Sequence, residues 1–336
     1  MHILVIFTGG TIGSEDSGDY ISPDTSDKYK LIKYYKNAHP QKAESIEFTT
    51  ISPYFCLSEN LSGKHLNTLS KCLSKELNKD YDGIIITHGT DTLQYSAAVM
   101  GIILKESNIP VVFVSSNYVL EDERANGPDN FYHALEFISQ THKHGVFIAY
   151  KNSDGINYIH DALQTIAHQS YSDDLFSVQN KYYGSFINEI FEVNKNYKEL
   201  EIPLNLTPNL TSLNSFTDSS DITNKISNNH RIFSEDSNVL RIYPYPGIKY
   251  PKDVSDYSCV LLDSYHSGTI ATDSLELDSF LSLLKEQNIP CYLAGGIPGH
   301  EYASLYPLRD KNVFILPVMS PITAYILLWL KYSPPC

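Results

Sequence analysis

Apolar residues along the chain follow two recurring patterns. Short runs at 3–7, 83–87, 111–114 and 146–150 are rich in β-branched residues and bounded by turn formers, which predicts buried strands. Between them, residues 63–78 and 96–107 carry apolar side chains at helical spacing. Strand–helix alternation of this kind implies βαβ units and a parallel sheet with helices on both faces. The stretch 203–237 differs, being dense in Ser, Thr, Asn and Asp with no sustained period, and it reads as a linker or long surface excursion. Afterwards the pattern resumes, with strands at 239–243, 258–263, 290–294 and 312–317 and a helix at 275–287. The reading is an α/β protein: a larger N-terminal parallel-sheet, flavodoxin-like domain over 1–200, a linker over 201–237, and a smaller C-terminal α/β domain over 238–336.

A chain of 336 residues suits two domains, and its 42% hydrophobic and 19% charged composition is that of a packed globular protein. The net charge of -14 argues against nucleic-acid and anionic-membrane partners, since both are bound through clustered Lys and Arg. The first apolar run has no basic region before it and no cleavage site after it, and none approaches a membrane span. Five cysteines are scattered without C-x-x-C spacing, which supports neither a disulfide framework nor a zinc site. The expected setting is the reducing cytoplasm.

Two loops carry the candidate chemistry. Thr8-Gly9-Gly10-Thr11-Ile12-Gly13 follows the first strand directly. Its glycines allow a sharp turn and close approach of a ligand. It lacks both the glycine spacing of the dinucleotide fingerprint and the lysine of a P-loop. It can be a tight structural turn, or it can present Thr8 and Thr11 as hydroxyl nucleophiles if a base stands near. The second loop, Thr87-His88-Gly89-Thr90-Asp91-Thr92, ends another buried strand and opens a helix. Thr90, Asp91 and Thr92 suit helix capping, and Asp91 equally suits binding a substrate ammonium group. Both loops lie at the carboxyl edge of one sheet, where open α/β sheets bind ligands.

The pair T-G-G-T-I and H-G-T-D-T resembles the signature of the bacterial L-asparaginases, notably their cytoplasmic type I branch. Further segments are similar: Gly18-Asp19-Tyr20-Ile21-Ser22-Pro23 to the family's lid, Arg124-Ala125-Asn126-Gly127-Pro128-Asp129-Asn130 to the segment after the third strand, Leu240-Arg241-Ile242-Tyr243-Pro244 and Asp263-Ser264-Tyr265-His266-Ser267-Gly268 to the opening of the C-terminal domain, and Pro317-Val318-Met319-Ser320-Pro321 to the turn before the last helix. The resemblance implies that Thr11 attacks a side-chain amide, assisted by Tyr20, with Thr90 and Asp91 as a second hydroxyl–acid set. Ser58, Glu59, Gly89 and Ser116 would bind substrate. Asparagine or a related amide would yield aspartate and ammonia through an acyl-enzyme, with no cofactor and no metal. It also implies a homodimer or homotetramer in which a neighbour's C-terminal domain completes the site.

Three departures qualify the substrate. The family's T-K-A-H-like stretch reads Thr165-Ile166-Ala167-His168, so Ile166 stands at the lysine position and can hold no proton. Lys151 is a candidate substitute. The carboxylate-binding S-S-D or S-Q-D loop reads Leu57-Ser58-Glu59, one hydroxyl short, and the T-G-A-Q/M loop reads Ser115-Ser116-Asn117-Tyr118. The alternative is an inactive or weakened protein of the same fold that binds an amino acid or small amide. A third reading is an amidotransferase component releasing ammonia for a partner. Histidines 142, 144, 160 and 168 complete no zinc set in the sequence.

Overall fold

The computed structural model describes residues 1–16, 21–23, 29–105, 107–203, 205–206, 234–296 and 302–333. Tyr20 lies outside these, as does most of the 201–237 stretch. The described residues fall into two compact units, one within Met1–Glu199 and the other within Leu200–Asn214 and Arg231–Cys336.

In the first unit β1 (His2–Phe7) is followed by a short antiparallel pair, β2 (Ser14–Asp16) and β3 (Ile21–Pro23). Next come α1 (Lys30–Ala38), α2 (Pro40–Ala43), β4 (Glu47–Ile51), α3 (Gly63–Glu76), β5 (Gly83–Thr87), α4 (Leu93–Ile103), β6 (Pro110–Val114), α5 (Gly127–Thr141) and β7 (Gly145–Lys151). Three more strands follow: β8 (Asn157–Asp161), β9 (Gly184–Ile187) and β10 (Ile190–Val193). The eight-stranded sheet has the order β10-β9-β8-β7-β6-β5-β1-β4.

From β4 to β7 the sheet is parallel, as the strand–helix alternation requires. Beyond β7 it continues antiparallel through β8, β9 and β10. The purely parallel expectation fails there because those strands are joined by connections without a crossover helix. The β9–β10 turn is Asn188-Glu189, both at positive φ (48° and 65°), the left-handed pair that suits a two-residue hairpin.

The pleat divides the sheet into two layers. Ile3, Val5 and Phe7 of β1, Ile85 of β5, Val112 and Val114 of β6, and Phe147 and Ala149 of β7 join one apolar cluster. Leu31 and Tyr35 of α1 and Phe131, Leu135, Phe137 and Ile138 of α5 complete it. The alternate residues face α3 and α4, which pack on each other. Ser62 begins α3 with a reciprocal cap, its hydroxyl taking the backbone N–H of His65 while His65 takes that of Ser62.

The second unit has a four-stranded parallel sheet, β11 (Val239–Ile242), β12 (Cys259–Leu262), β13 (Cys291–Leu293) and β14 (Val313–Ile315), in that order. The helix Leu275–Glu286 buries Leu277, Phe280, Leu281 and Leu284 in its core and is capped by the Ser274 hydroxyl. Helix Pro321–Tyr332 opens with Ser320 as cap and proline at its first position. Within this unit Arg241 holds the buried Asp263 through Nε and Nη2, at 2.9 and 2.8 Å.

Candidate functional site

The two glycine loops meet at the carboxyl ends of β1 and β5, neighbours in the sheet. Contact between them is as close as backbone allows. Gly10 has φ +84°, and a Cβ placed on it would lie 2.3 Å from Cα of Gly89. A Cβ on Gly89 would in turn lie 2.6 Å from Cβ of Ser58. No side chain fits at either position, which is the physical reason for glycine there. Thr8 ties the strands above the loops, its hydroxyl donating to the Thr87 carbonyl at 2.7 Å. Cys56 donates its backbone N–H to the Thr8 carbonyl at 3.0 Å, bringing the third loop in.

Ser58, Glu59, Gly89, Thr90 and Asp91 therefore come together with the Thr11 loop. Ser58 is buried and donates from Oγ to Asp91 Oδ2 at 2.7 Å. Thr92 donates to the Ser58 carbonyl at 2.8 Å, which clamps the loop 57–59 onto the start of α4. Thr11 and Thr90 are half-buried, and Glu59 and Asp91 are exposed. Thr11 opens a single 3₁₀ turn, Thr11–Gly13. The arrangement offers hydroxyls, a carboxylate and loop backbone in one patch that water and ligand can reach.

Ser116 is placed differently. It is fully buried, donates to the Tyr118 carbonyl at 2.5 Å and accepts from Gly127 N–H at 3.2 Å, so its hydroxyl is engaged in holding its own loop. Tyr118 carries the Arg124 guanidinium over its ring at 4.1 Å, and Arg124 is paired in turn with Asp122. The candidate substitute Lys151 is bound to Asp129, Nζ to Oδ2 at 2.7 Å. Ile166 is half-buried, and its backbone N–H donates to Phe176.

Behind the loops lies His88, fully buried, with Nδ1 2.8 Å from the Gly89 carbonyl and Nε2 2.8 Å from Ser96 Oγ. A carbonyl only accepts, so Nδ1 carries the proton and Nε2 accepts from Ser96. Burial pushes the imidazole down to about 4, and it stays neutral. Ser115 donates to the His88 carbonyl at 2.7 Å. The pairing of His88 with Ser96 was invisible in the sequence, although Ser96 sits eight residues on, in the first turn of α4. Among the described residues no group of three or more His, Cys, Asp or Glu side chains is placed to hold a metal.

Residues 2–199 match the family model described as asparaginase, N-terminal. The chain is 27% identical over 202 residues to a glutamyl-tRNA(Gln) amidotransferase component of Methanobrevibacter smithii, covering 59% of this chain and 45% of that one. It is 30% identical over 135 residues to L-asparaginase 1 of Escherichia coli, covering 40% of this chain and 39% of that one. The aligned stretches thus span less than half the length of either relative. The crystal structure of L-asparaginase I from Vibrio cholerae superposes with a TM-score of 0.73 at 20% identity, covering 100% of this chain and 94% of that one, which extends the shared fold to both units. The family model covers more than half of the chain, and the chain belongs to the asparaginase family.

Proposed function

We propose that the protein hydrolyses a side-chain amide, L-asparagine or a close relative, through Thr11 as nucleophile. One observation carries the reading: the Gly10–Gly89 contact and the Ser58–Asp91 hydrogen bond bring the Thr11 loop, the Thr90–Asp91 loop and the 57–59 loop to one edge of the sheet. In this scheme Asp91, braced by Ser58, receives the substrate ammonium. Thr11 Oγ1 attacks the amide carbon, and loop N–H groups steady the oxyanion. The amide nitrogen leaves as ammonia, and water then frees the acid. Glu59 in place of aspartate and Leu57 in place of a hydroxyl alter the end that grips the carboxylate, which favours an amide other than free asparagine alone. No metal or cofactor enters the scheme.

The test is ammonia release from L-asparagine, L-glutamine, D-asparagine and small asparagine-containing peptides, beside a Thr11→Ala control. Release that falls at least about 1000-fold in the control supports the threonine nucleophile. Equal release in both sinks it.

A second reading, binding without turnover, is favoured by one observation: Ile166 offers no proton carrier, and Lys151 is held by Asp129. Calorimetric binding of L-asparagine with no ammonia release would select it. Assembly as a homodimer or homotetramer is part of the same proposal, and the exposed apolar residues Ile187, Ile190 and Val193 at the β9–β10 edge of the large sheet are consistent with a contact there. Sedimentation of the isolated protein as a monomer would remove that proposal. Location in the reducing cytoplasm is supported by the unpaired cysteines Cys56, Cys72, Cys259 and Cys291.

A further inference from the structure

The two sheets end in edges of different kinds. At β10 of the large sheet the edge backbone is already engaged. Phe191 donates its N–H to Gln140 Oε1 at 3.0 Å, and Gln140 Nε2 donates to the Glu189 carbonyl at 3.0 Å. The small sheet ends at β14, whose register pairs Cys291 with Val313, Tyr292 with Phe314 and Leu293 with Ile315. Leu316 donates its N–H to the Leu293 carbonyl at 2.9 Å. Bonding groups alternate along a parallel ladder, so Phe314 and Leu316 turn theirs toward β13, and Val313 and Ile315 turn theirs outward. Among the described residues nothing takes those outward N–H and C=O groups. An edge of this kind is a template for one more strand.

The surroundings of β14 suit such a strand. A groove runs along it, lined by Val313–Leu316 on one side and by Pro203, Asn205 and Leu206 on the other. That far bank is fixed in place. Leu206 is buried, its N–H donates to the Pro203 carbonyl at 2.9 Å, and Lys331 Nζ donates to the Asn205 carbonyl at 2.6 Å. A second groove, at the amino end of the strand, is lined by Leu281, Leu284, Ile289 and Pro290. Phe314 borders both grooves and is 51% exposed, which leaves an open aromatic face beside the free backbone. Its ring lies 5.4 Å from that of Tyr292 on β13. The charged side chains lining the grooves are all cationic: Arg309 in the first, Lys285 and Lys311 in the second. Lys311 is paired with Asp278, Arg309 lies over the Tyr306 ring at 5.5 Å, and Lys285 is exposed. In a chain of net charge -14 this is a local reversal of sign. It selects for an acidic partner. It also disfavours a second copy, because two-fold pairing would bring the same cations against each other.

We propose that β14 is a docking edge for an extended, acidic segment of a partner protein. The segment adds as a fifth strand of the small sheet and exchanges backbone hydrogen bonds with Val313 and Ile315. Its side chains alternate between the two faces. Apolar ones pack on Phe314 and beside Leu281 and Leu284, and Asp or Glu side chains meet Arg309, Lys285 and Lys311. Backbone pairing supplies affinity, and charge chooses the partner. No residue of the three loops at the large sheet takes part, so this role stands or falls apart from the amidase reading.

The probe is a fluorescein-labelled decapeptide alternating Val and Glu, titrated into the full chain and followed by anisotropy and by the amide NMR shifts of Val313 and Ile315. Saturable binding is expected, about tenfold weaker when Lys replaces Glu and about tenfold weaker when alternate peptide amides are N-methylated. Ile315→Pro removes one outward N–H and spares the bonds to β13, at an edge position where proline is tolerated. It should weaken binding about tenfold. Lys285→Glu, an exposed change, keeps the test open if the proline variant does not fold, and should weaken binding about threefold at low salt. Absence of binding up to about 1 mM peptide overturns the proposal. So does equal binding of the Lys peptide, or wild-type affinity in both variants. Self-association of the wild-type chain that Ile315→Pro abolishes assigns the edge to a second copy and overturns the acidic partner.

Discussion

The two layers of the large sheet are built from the same strands and differ in almost everything else. The layer toward α1 and α5 is apolar and aromatic. Phe137 stands edge-on to Phe147, Tyr183 and Phe191 at 4.9, 6.0 and 5.0 Å, within a cluster made of hydrophobic side chains. The layer toward α4 holds His88 with Ser96, and also Gln94, Tyr150, His160 and His168, each of these last four with a buried polar atom that has no hydrogen-bond partner among the described residues. Both layers are buried, so burial alone does not explain the difference. The polar layer is the one that continues into the helix opened by Thr90-Asp91-Thr92. A sheet edge that binds a ligand needs rigid support on one side and adjustable charge on the other. The division assigns stability to one layer and chemistry to the other.

Removing a ring from the apolar layer should have the largest effect on folding. Phe137→Ala, at a fully buried position, is expected to cost about 3–5 kcal/mol in urea unfolding. The molecules that remain folded should keep their turnover. A smaller stability loss would mean that this layer collapses around the gap, and a change in turnover would erase the division.

Acid strikes the polar layer instead. His88 and His160 are held down to about 4 and about 3 by burial. Unfolded histidines titrate near 6.5, so the unfolded state binds protons first as pH falls. Their stabilising contribution is complete above that value and is lost as pH drops toward the folded midpoints. For His88 the loss at pH 5 is about 2 kcal/mol. Unfolding measured at pH 7 and pH 5 checks it, and His88→Gln should flatten the dependence. An unchanged slope in that variant would mean that His88 is not the titrating group.

How legible this was from sequence depends on whether a residue's role is local. The strands 83–87 and 111–114 show themselves as unbroken β-branched runs because both of their faces are covered. The loops show themselves because glycine and threonine follow those runs at once. β4 escaped the reading because Glu47–Ile51 is an edge strand with no fully buried residue, and its alternation is correspondingly weak. The antiparallel extension escaped it because Asn157–Asp161 mixes Tyr and His with a single fully apolar residue, Ile159. His160 and His168 read as a pair without a third ligand. Only the fold shows that they share a layer with Tyr150, because that adjacency is made by strand pairing and by a turn packed on α4. Ser58 was named through family resemblance, but its contact with Asp91 joins loops 33 residues apart and has no local signature.

That contact offers the finest test of the division. Ser58 Oγ donates to a carboxylate that is itself exposed, so the bond is solvated on one side and contributes little to folding. Its value lies in orientation. With the hydroxyl in place one Asp91 oxygen is fixed and the other is left for an incoming ammonium. Ser58→Ala removes the donor without adding bulk, and Gly89, which packs against Ser58 Cβ, keeps its neighbour. Unfolding free energy should fall by no more than about 1 kcal/mol, the net value of one hydrogen bond. KM for an α-amino amide should rise about tenfold, equivalent to about 1.4 kcal/mol of lost binding, with kcat nearly constant. A variant in which kcat falls and KM stays would place Ser58 in the proton path rather than in substrate binding, and would move the border between the two layers by one loop.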